Sequence, residues 1–114
     1  MDKKKYPRAL YRCSVNLWKN AEATRIVSMT KNISNGGVCI VLPQELEPGH
    51  EARLEIELDD SEKPLSCYAQ VRWTVPSRTP SGTFQYETGF QFTDITDPDR
   101  TRIERIVEKH LALK

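Results

Sequence analysis

The sequence predicts one mainly β domain, a small barrel or sandwich, followed by a single α-helix. Short segments that alternate apolar and polar residues recur along most of the chain, about six in number, at the spacing of strands in such folds. The final segment changes to the period of an amphipathic helix. The chain has 114 residues, enough for one core and too few for two ordinary domains, so 1–114 is treated as one domain.

The first three strands are apolar runs separated by polar or glycine-containing turns. In chain order they are "YRCSVNLW", "TRIVSMT" and "GVCIVLP". A later run, "FQYETGFQF", supplies the last strand, after the proline-containing loop "VPSRTPSGTF".

The middle of the chain predicts an antiparallel hairpin. In "EARLEIEL", alternate residues are apolar and those between them are charged, which is the period of a half-buried strand. The apolar face carries Ala52, Leu54, Ile56 and Leu58. After the polar turn "DDSEKP", the run "LSCYAQVRWTV" repeats the alternation. Its apolar face carries Leu65, Cys67, Ala69, Val71, Trp73 and Val75, so these side chains are predicted to be buried.

The last segment, 97–114, predicts the helix. Asp97 can cap it, Pro98 suits the first helical position, and Asp99 complements the positive end of the helix dipole. One stripe at helical spacing faces the core; its members are Ile103, Ile106, Val107, His110 and Leu111.

Charge is concentrated at the start of the chain. The whole chain has a net charge of +1, so it lacks the global field expected of a nucleic-acid or membrane-surface binder. Residues 1–12, by contrast, hold five cations and one acidic residue, a net of 5 − 1 = +4. Pro7 favours an extended arm over a helix in this segment.

Catalysis and metal binding have little support in the sequence. The three cysteines are isolated, odd in number and placed in apolar runs, which favours small buried side chains in a reducing cytoplasm. His50 lies in a predicted turn and His110 on the helix, neither at metal-ligand spacing. Hydrolase, metalloprotease and phosphate-loop motifs are absent from the sequence, as is any run of the ~20 apolar residues that spans a membrane.

Two segments favour a binding site. The arm "KKKYPRALYR" contains arginines, whose planar fork can make paired hydrogen bonds to phosphate or to a guanine edge. In "NISNGG", Asn32 and Ser34 are two apart and can face the same side, beside glycines that permit a close approach. Taken alone, the composition of the arm favours a solvated terminus, and the second segment has the residues that any tight turn would use.

These features together resemble the PilZ domain, the bacterial receptor module for cyclic di-GMP. The resemblance rests on the basic "KKYPR" arm, "NISNGG" about twenty residues later, "AQVRW", "ETGFQF" and a terminal helix. Asn32, Ser34 and Gly37 match the family's (D/N)xSxxG motif, and the resemblance runs from about Lys4 to the final helix. It implies a six-stranded antiparallel β-barrel with the ligand where the arm crosses the barrel surface.

The resemblance also implies roles for arm residues. Arg8 to Arg12 spell the family's RxxxR motif literally, but the "YP" step before Arg8 aligns Arg8 with the second arginine and Lys4 with the first. Arg8, helped by Arg12 or by Lys4 and Lys5, would bind a phosphate or a guanine edge of cyclic di-GMP.

On the barrel, the resemblance implies that Asn32 and Ser34 hydrogen-bond the base or ribose and that Gly37 leaves room for the ligand. Trp73 resembles a residue that lies beside a guanine in some family members. Its phase with Val71 and Val75 instead predicts burial. Arg72, on the opposite face, could reach solvent or ligand.

The implied function is a non-catalytic, cytoplasmic cyclic di-GMP receptor. Its arm (1–12) would close over the dinucleotide and change the surface offered to a protein partner in motility, biofilm or secretion control, without nucleic-acid binding or membrane insertion. Lys4 at the first motif position supports an alternative, a PilZ-like adaptor that acts only by protein contact, as in type IV pilus assembly. A third interpretation is a barrel that binds nucleic acid through the arm.

Overall fold

The structure, a computed structural model, describes residues 8–19, 23–60 and 62–112. It contains a two-residue strand, six longer strands and one helix. The strands are β1 (Ala9–Leu10), β2 (Ser14–Lys19), β3 (Arg25–Ile33), β4 (Gly37–Leu42), β5 (Glu51–Ile56), β6 (Leu65–Arg78) and β7 (Phe84–Asp94), and the helix is α1 (Asp97–Ala112).

The six longer strands form a closed antiparallel barrel. The strand order is β3-β2-β5-β6-β7-β4, and a pairing between β3 and β4 closes the ring. The short β1 adds to β3, with Ala9 opposite Ile33 and Leu10 opposite Asn32. The predicted six-stranded antiparallel barrel with a C-terminal helix is confirmed, and the choice between barrel and sandwich is settled in favour of the barrel.

The core fills the barrel and extends under the helix. All four residues of the apolar face predicted from "EARLEIEL" are buried, as are the helix residues Ile103, Ile106 and Val107. Burying an aliphatic side chain of this size contributes roughly 1.5–3 kcal/mol to folding, so this stripe is a large part of what holds α1 on the barrel. His110 is half-buried against the Tyr11 ring, with 4.9 Å between ring centroids.

The helix begins at Asp97, the first residue of the predicted segment, but the residue that caps it lies one position earlier than predicted. The backbone N–H of Asp99 donates to Thr96 Oγ1 at 3.3 Å, and that of Arg100 donates to the Thr96 carbonyl oxygen at 2.9 Å. Thr96 is therefore the N-cap, and Asp97 is the first helical residue instead of the cap. Thr96 Oγ1 thus accepts from one of the N–H groups that the helix itself leaves unpaired, and the Thr96 carbonyl accepts the first hydrogen bond of the helix. Residues 113 and 114 of the predicted helix lie outside the described residues.

The predicted burial of Trp73 and Val75 is wrong. In the β6–β7 ladder Val71 lies opposite Phe90 and Trp73 lies opposite Gly89, so Arg72 is an extra residue in β6. Such a β-bulge shifts every following side chain to the other face. Val71 is buried as predicted, whereas Trp73 is 42% exposed and Val75 is 50% exposed.

The three cysteines are free thiols that pack in or near the interior of the barrel. Cys39 and Cys67 are buried and Cys13 is half-buried. Burial raises the pKa of the Cys67 thiol to about 12, which keeps it protonated and unreactive at neutral pH. In the described part of the chain, His, Cys, Asp and Glu side chains form no group of three that could hold a metal ion. None of the helices described there is long and apolar enough to span a bilayer.

Candidate ligand-binding site

A basic cleft of about 440 Å³ lies on the barrel surface where the arm, the β3–β4 turn, the β6–β7 hairpin and the start of α1 meet. Three arginines line it, namely Arg8, Arg72 and Arg100. Among the described residues, no Asp or Glu lines it. In a chain whose net charge is only +1, the arrangement concentrates positive charge at one place and suits an anionic ligand.

The arm enters the cleft through Arg8. The pairing of β1 with β3 places Arg8 beside Asn32, and Arg8 Nη1 donates a hydrogen bond to Asn32 Oδ1 at 2.5 Å. The Asn32 oxygen therefore orients the guanidinium, while its amide nitrogen keeps two N–H donors. Arg8 is exposed and its other N–H groups remain available to a ligand.

The "NISNGG" turn is held together by Ser34. Ser34 is 2% exposed, and its Oγ accepts a hydrogen bond from the Gly36 N–H at 3.3 Å. The Ser34 backbone N–H donates to the Gly37 carbonyl oxygen at 2.9 Å. Ser34 and Gly36 line the cleft. The turn thus reverses the chain and forms one wall of the cleft.

The backbone of the neighbouring strand β7 explains why a glycine is required at position 37. Gly37 begins β4 opposite Gln91 of β7, and a Cβ added there would lie 2.0 Å from the Phe90 carbonyl oxygen. A side chain at this position cannot be accommodated without separating the two strands. Gly37 leaves room for the β7 backbone and does not itself line the cleft.

Trp73 forms the far wall of the cleft. Cross-strand partners follow one another across the outer face of four strands, from Asn32 to Cys39 to Gly89 to Trp73. A Cβ on Gly89 would lie 2.2 Å from the indole Nε1, so the Trp73 ring lies directly on Gly89. Gly89 lines the cleft under this ring, and the indole, 42% exposed, offers a face for stacking.

Gly89 and Arg100 were not among the residues predicted for the site, and Arg72 was predicted only to reach solvent or ligand; all three line the cleft. Arg100 lies in the first turn of α1, and its Nη1 donates to the Asn35 carbonyl oxygen at 3.0 Å. The Asn35 amide in turn donates to Glu104 Oε2 at 3.3 Å, so the turn and the helix are linked twice. No sequence pattern joins residues 65 positions apart. Gly89 is the glycine of "ETGFQF", but no pattern in the sequence indicates its contact with Trp73.

Of the other predicted site residues, Lys4 and Lys5 are outside the described residues, so the structure does not place them. Arg12 is exposed beyond β1 and does not line the cleft. Glu87, on β7 two residues before Gly89, forms an ion pair with Lys31 at 2.8 Å, which raises the pKa of that lysine and offsets the carboxylate charge close to the site.

We expect Gly89→Ala to displace the Trp73 indole, because the new methyl group would occupy the position of the ring. In a Trp18→Phe background, Trp73 is the single tryptophan, so its emission maximum should shift to longer wavelength as the ring gains exposure. The free energy of unfolding should fall by about 1–3 kcal/mol, the usual cost of overpacking. An unchanged emission spectrum would contradict the close contact between these two residues.

The described residues form a six-stranded antiparallel β-barrel with a C-terminal helix and a basic surface cleft, which defines a small β-barrel domain with a candidate site for an anion. The PilZ domain family matches residues 2–109, and this chain belongs to that family. PilZ domains are generally non-catalytic receptor modules. Among curated proteins, no relative matches the chain.

Solved structures share this fold at low sequence identity. The Bacillus subtilis inhibitor of motility MotI/DgrA has 20% identity and a TM-score of 0.80, over 100% of this chain and 53% of that one. The PilZ domain of Escherichia coli YcgR with c-di-GMP has 15% identity and a TM-score of 0.77, over 97% of this chain and 93% of that one. The K. pneumonia MrkH–c-di-GMP complex has 15% identity and a TM-score of 0.77, over 98% and 53%. This chain therefore spans about half the length of MotI/DgrA and of MrkH.

Proposed function

We propose that this protein is a non-catalytic receptor for cyclic di-GMP in the bacterial cytoplasm. The observation that carries the proposal is the basic cleft, in which Arg8 is oriented by Asn32 and the Trp73 indole is exposed, with no acidic residue among the described residues that line it. Cyclic di-GMP is a dianion with two guanines. Arginine forks suit its phosphates and the O6 and N7 edges of its bases, and an indole suits stacking on a base.

Similar structures support this ligand. The YcgR PilZ domain and MrkH were each solved with c-di-GMP, and both share the fold of this chain over nearly its whole length. In the proposed complex Arg8 binds a phosphate or a guanine edge, and Ser34 and the free Asn32 amide contact the base or ribose. Lys4 and Lys5 would add positive charge from the arm.

The proposed output is a changed surface for a protein partner. Arg8 is exposed, and Asn32 is the one described side chain to which its guanidinium hydrogen-bonds, so the Arg8 side chain can turn toward a ligand while Ala9 and Leu10 stay paired with β3. Val75, two residues after Trp73 on β6, is 50% exposed, and Phe84, farther along the β6–β7 hairpin, is 59% exposed. An arm that closes over a ligand beside Trp73 would alter what a partner in motility, biofilm or secretion control contacts on this hairpin.

The same exposed hairpin favours the second candidate, an adaptor that binds a protein without the nucleotide. Large apolar side chains on a protruding hairpin are typical of a protein contact site. This function needs neither the arginine-lined cleft nor the orientation of Arg8 by Asn32. The basic cleft is thus the feature that distinguishes the two candidates.

Isothermal titration calorimetry with cyclic di-GMP, with GTP as the control ligand, tests the proposal. We expect saturable heat with cyclic di-GMP and little or none with GTP, together with a rise in the thermal unfolding midpoint, because a ligand that binds only the folded state stabilises it. Absence of both heat and a thermal shift at high ligand concentration would refute the receptor function and favour the adaptor.

A further inference from the structure

Arg72 is the residue that the β6 bulge adds to the cleft. The register passes from Val71 opposite Phe90 to Trp73 opposite Gly89, which leaves Arg72 without a partner residue on β7. Bulges commonly re-aim a side chain beside a functional site. Arg72 is exposed and lines the cleft, and it makes no hydrogen bond or ion pair with any residue that the structure describes. Its five N–H donors therefore remain available to a ligand.

Arg72 and Arg8 belong to opposite ends of the cleft. Arg8 is hydrogen-bonded to Asn32, and Arg72 is next to Trp73 in β6. Asn32 and Trp73 are separated by three steps between paired strands, through Cys39 and Gly89. At about 4.8 Å per step, this is roughly 14 Å along the sheet. Of the two intermediate residues, Gly89 lines the cleft under the Trp73 ring, and Cys39 is buried.

We infer that Arg72 is a second anchoring residue, which selects a ligand with two separated phosphate or guanine groups over a single nucleotide. The inference rests on the proposed function and specifies how the cleft would distinguish cyclic di-GMP from one of its halves. A single mononucleotide can satisfy one end of a cleft of this width, whereas a dinucleotide can engage a guanidinium at each end. Arg72 then contributes to affinity for the dinucleotide and much less to affinity for GMP.

The test compares three variants by calorimetry with cyclic di-GMP and with GMP. We expect Arg72→Ala to weaken cyclic di-GMP binding about tenfold or more, since a bidentate arginine contact is worth ~1–3 kcal/mol, and to change GMP binding little. Arg72→Lys should bind with intermediate affinity because it keeps the charge and loses the fork. Arg78→Ala is the matched control, because Arg78 lies on the same strand but outside the cleft, with its guanidinium 4.3 Å from the centre of the Phe84 ring.

Each outcome decides the inference. Selective loss in Arg72→Ala, with an unchanged Arg78→Ala and unchanged thermal midpoints, supports it. If the parent binds cyclic di-GMP and Arg72→Ala binds it equally well, the anchoring role is overturned and the receptor function stands. If Arg78→Ala weakens binding as much as Arg72→Ala, the effect is one of general charge and the specific role is overturned. If the parent does not bind cyclic di-GMP at all, the receptor function and the role of Arg72 fall together.

Discussion

Arg8→Ala is expected to abolish cyclic di-GMP binding in calorimetry while leaving the fold intact. Arg8 is the described arm residue that lines the cleft, and its guanidinium is already oriented by Asn32. Its loss removes a charge-assisted paired contact and leaves the Asn32 oxygen without its donor. A decrease of a hundredfold or more, about 2.7 kcal/mol, would place binding below ready detection. Because Arg8 is exposed, its removal should change the free energy of unfolding by no more than about 0.5 kcal/mol.

Arg12→Ala is the matched control for Arg8→Ala. It removes the same charge from the same arm, and Arg12 is exposed but does not line the cleft. We therefore expect it to bind nearly as well as the parent. Arg8→Lys should fall between the parent and Arg8→Ala, because lysine supplies charge without the planar fork. Parent-like binding by Arg8→Ala would show that the site is wrongly assigned.

Gly37→Ala is expected to have the largest effect on stability. The added Cβ would lie 2.0 Å from the Phe90 carbonyl oxygen, and that oxygen belongs to the backbone of β7, which cannot rotate away as a side chain can. β4 and β7 must separate at the barrel surface, which should cost about 3 kcal/mol or more. Thermal or urea unfolding would measure the loss, and a decrease of roughly 10 °C in the unfolding midpoint is expected.

Gly49→Ala is a suitable comparison for Gly37→Ala. Gly49 has a φ of +97°, and a Cβ added there meets nothing within 4 Å. This change costs only the backbone strain of a non-glycine residue at positive φ, about 1–2 kcal/mol. If Gly37→Ala were no more destabilising than Gly49→Ala, the close approach of β4 and β7 would be wrong.

The local parts of the fold were accessible from the sequence because they follow from periodicity. In "EARLEIEL", which contains β5, a strict alternation of apolar and charged residues determined which face is buried, and the structure places all four apolar residues in the core. In α1, the spacing of Ile103, Ile106 and Val107 determined the buried stripe. Both elements depend on contacts whose pattern repeats within the segment itself.

Only part of the candidate site could be predicted from the sequence. The arm and turn motifs pointed to Arg8 and Ser34, both of which line the cleft. The same motifs pointed to Asn32 and Gly37. In the structure Asn32 accepts a hydrogen bond from Arg8, and Gly37 leaves room for the backbone of β7. Whether these residues bind cyclic di-GMP stays a prediction until the calorimetry is done.

The sequence by itself determined the class of fold, the buried faces of regular elements and the motif residues of the arm and turn. Only the tertiary structure decided that β6 contains a bulge at Arg72, which exposes Trp73 against the expected phase. It also brought Arg100 to the turn and Gly89 beneath the indole. The physical reason is that periodicity records contacts within one segment, whereas register, bulges and close backbone approaches arise only when distant strands pair.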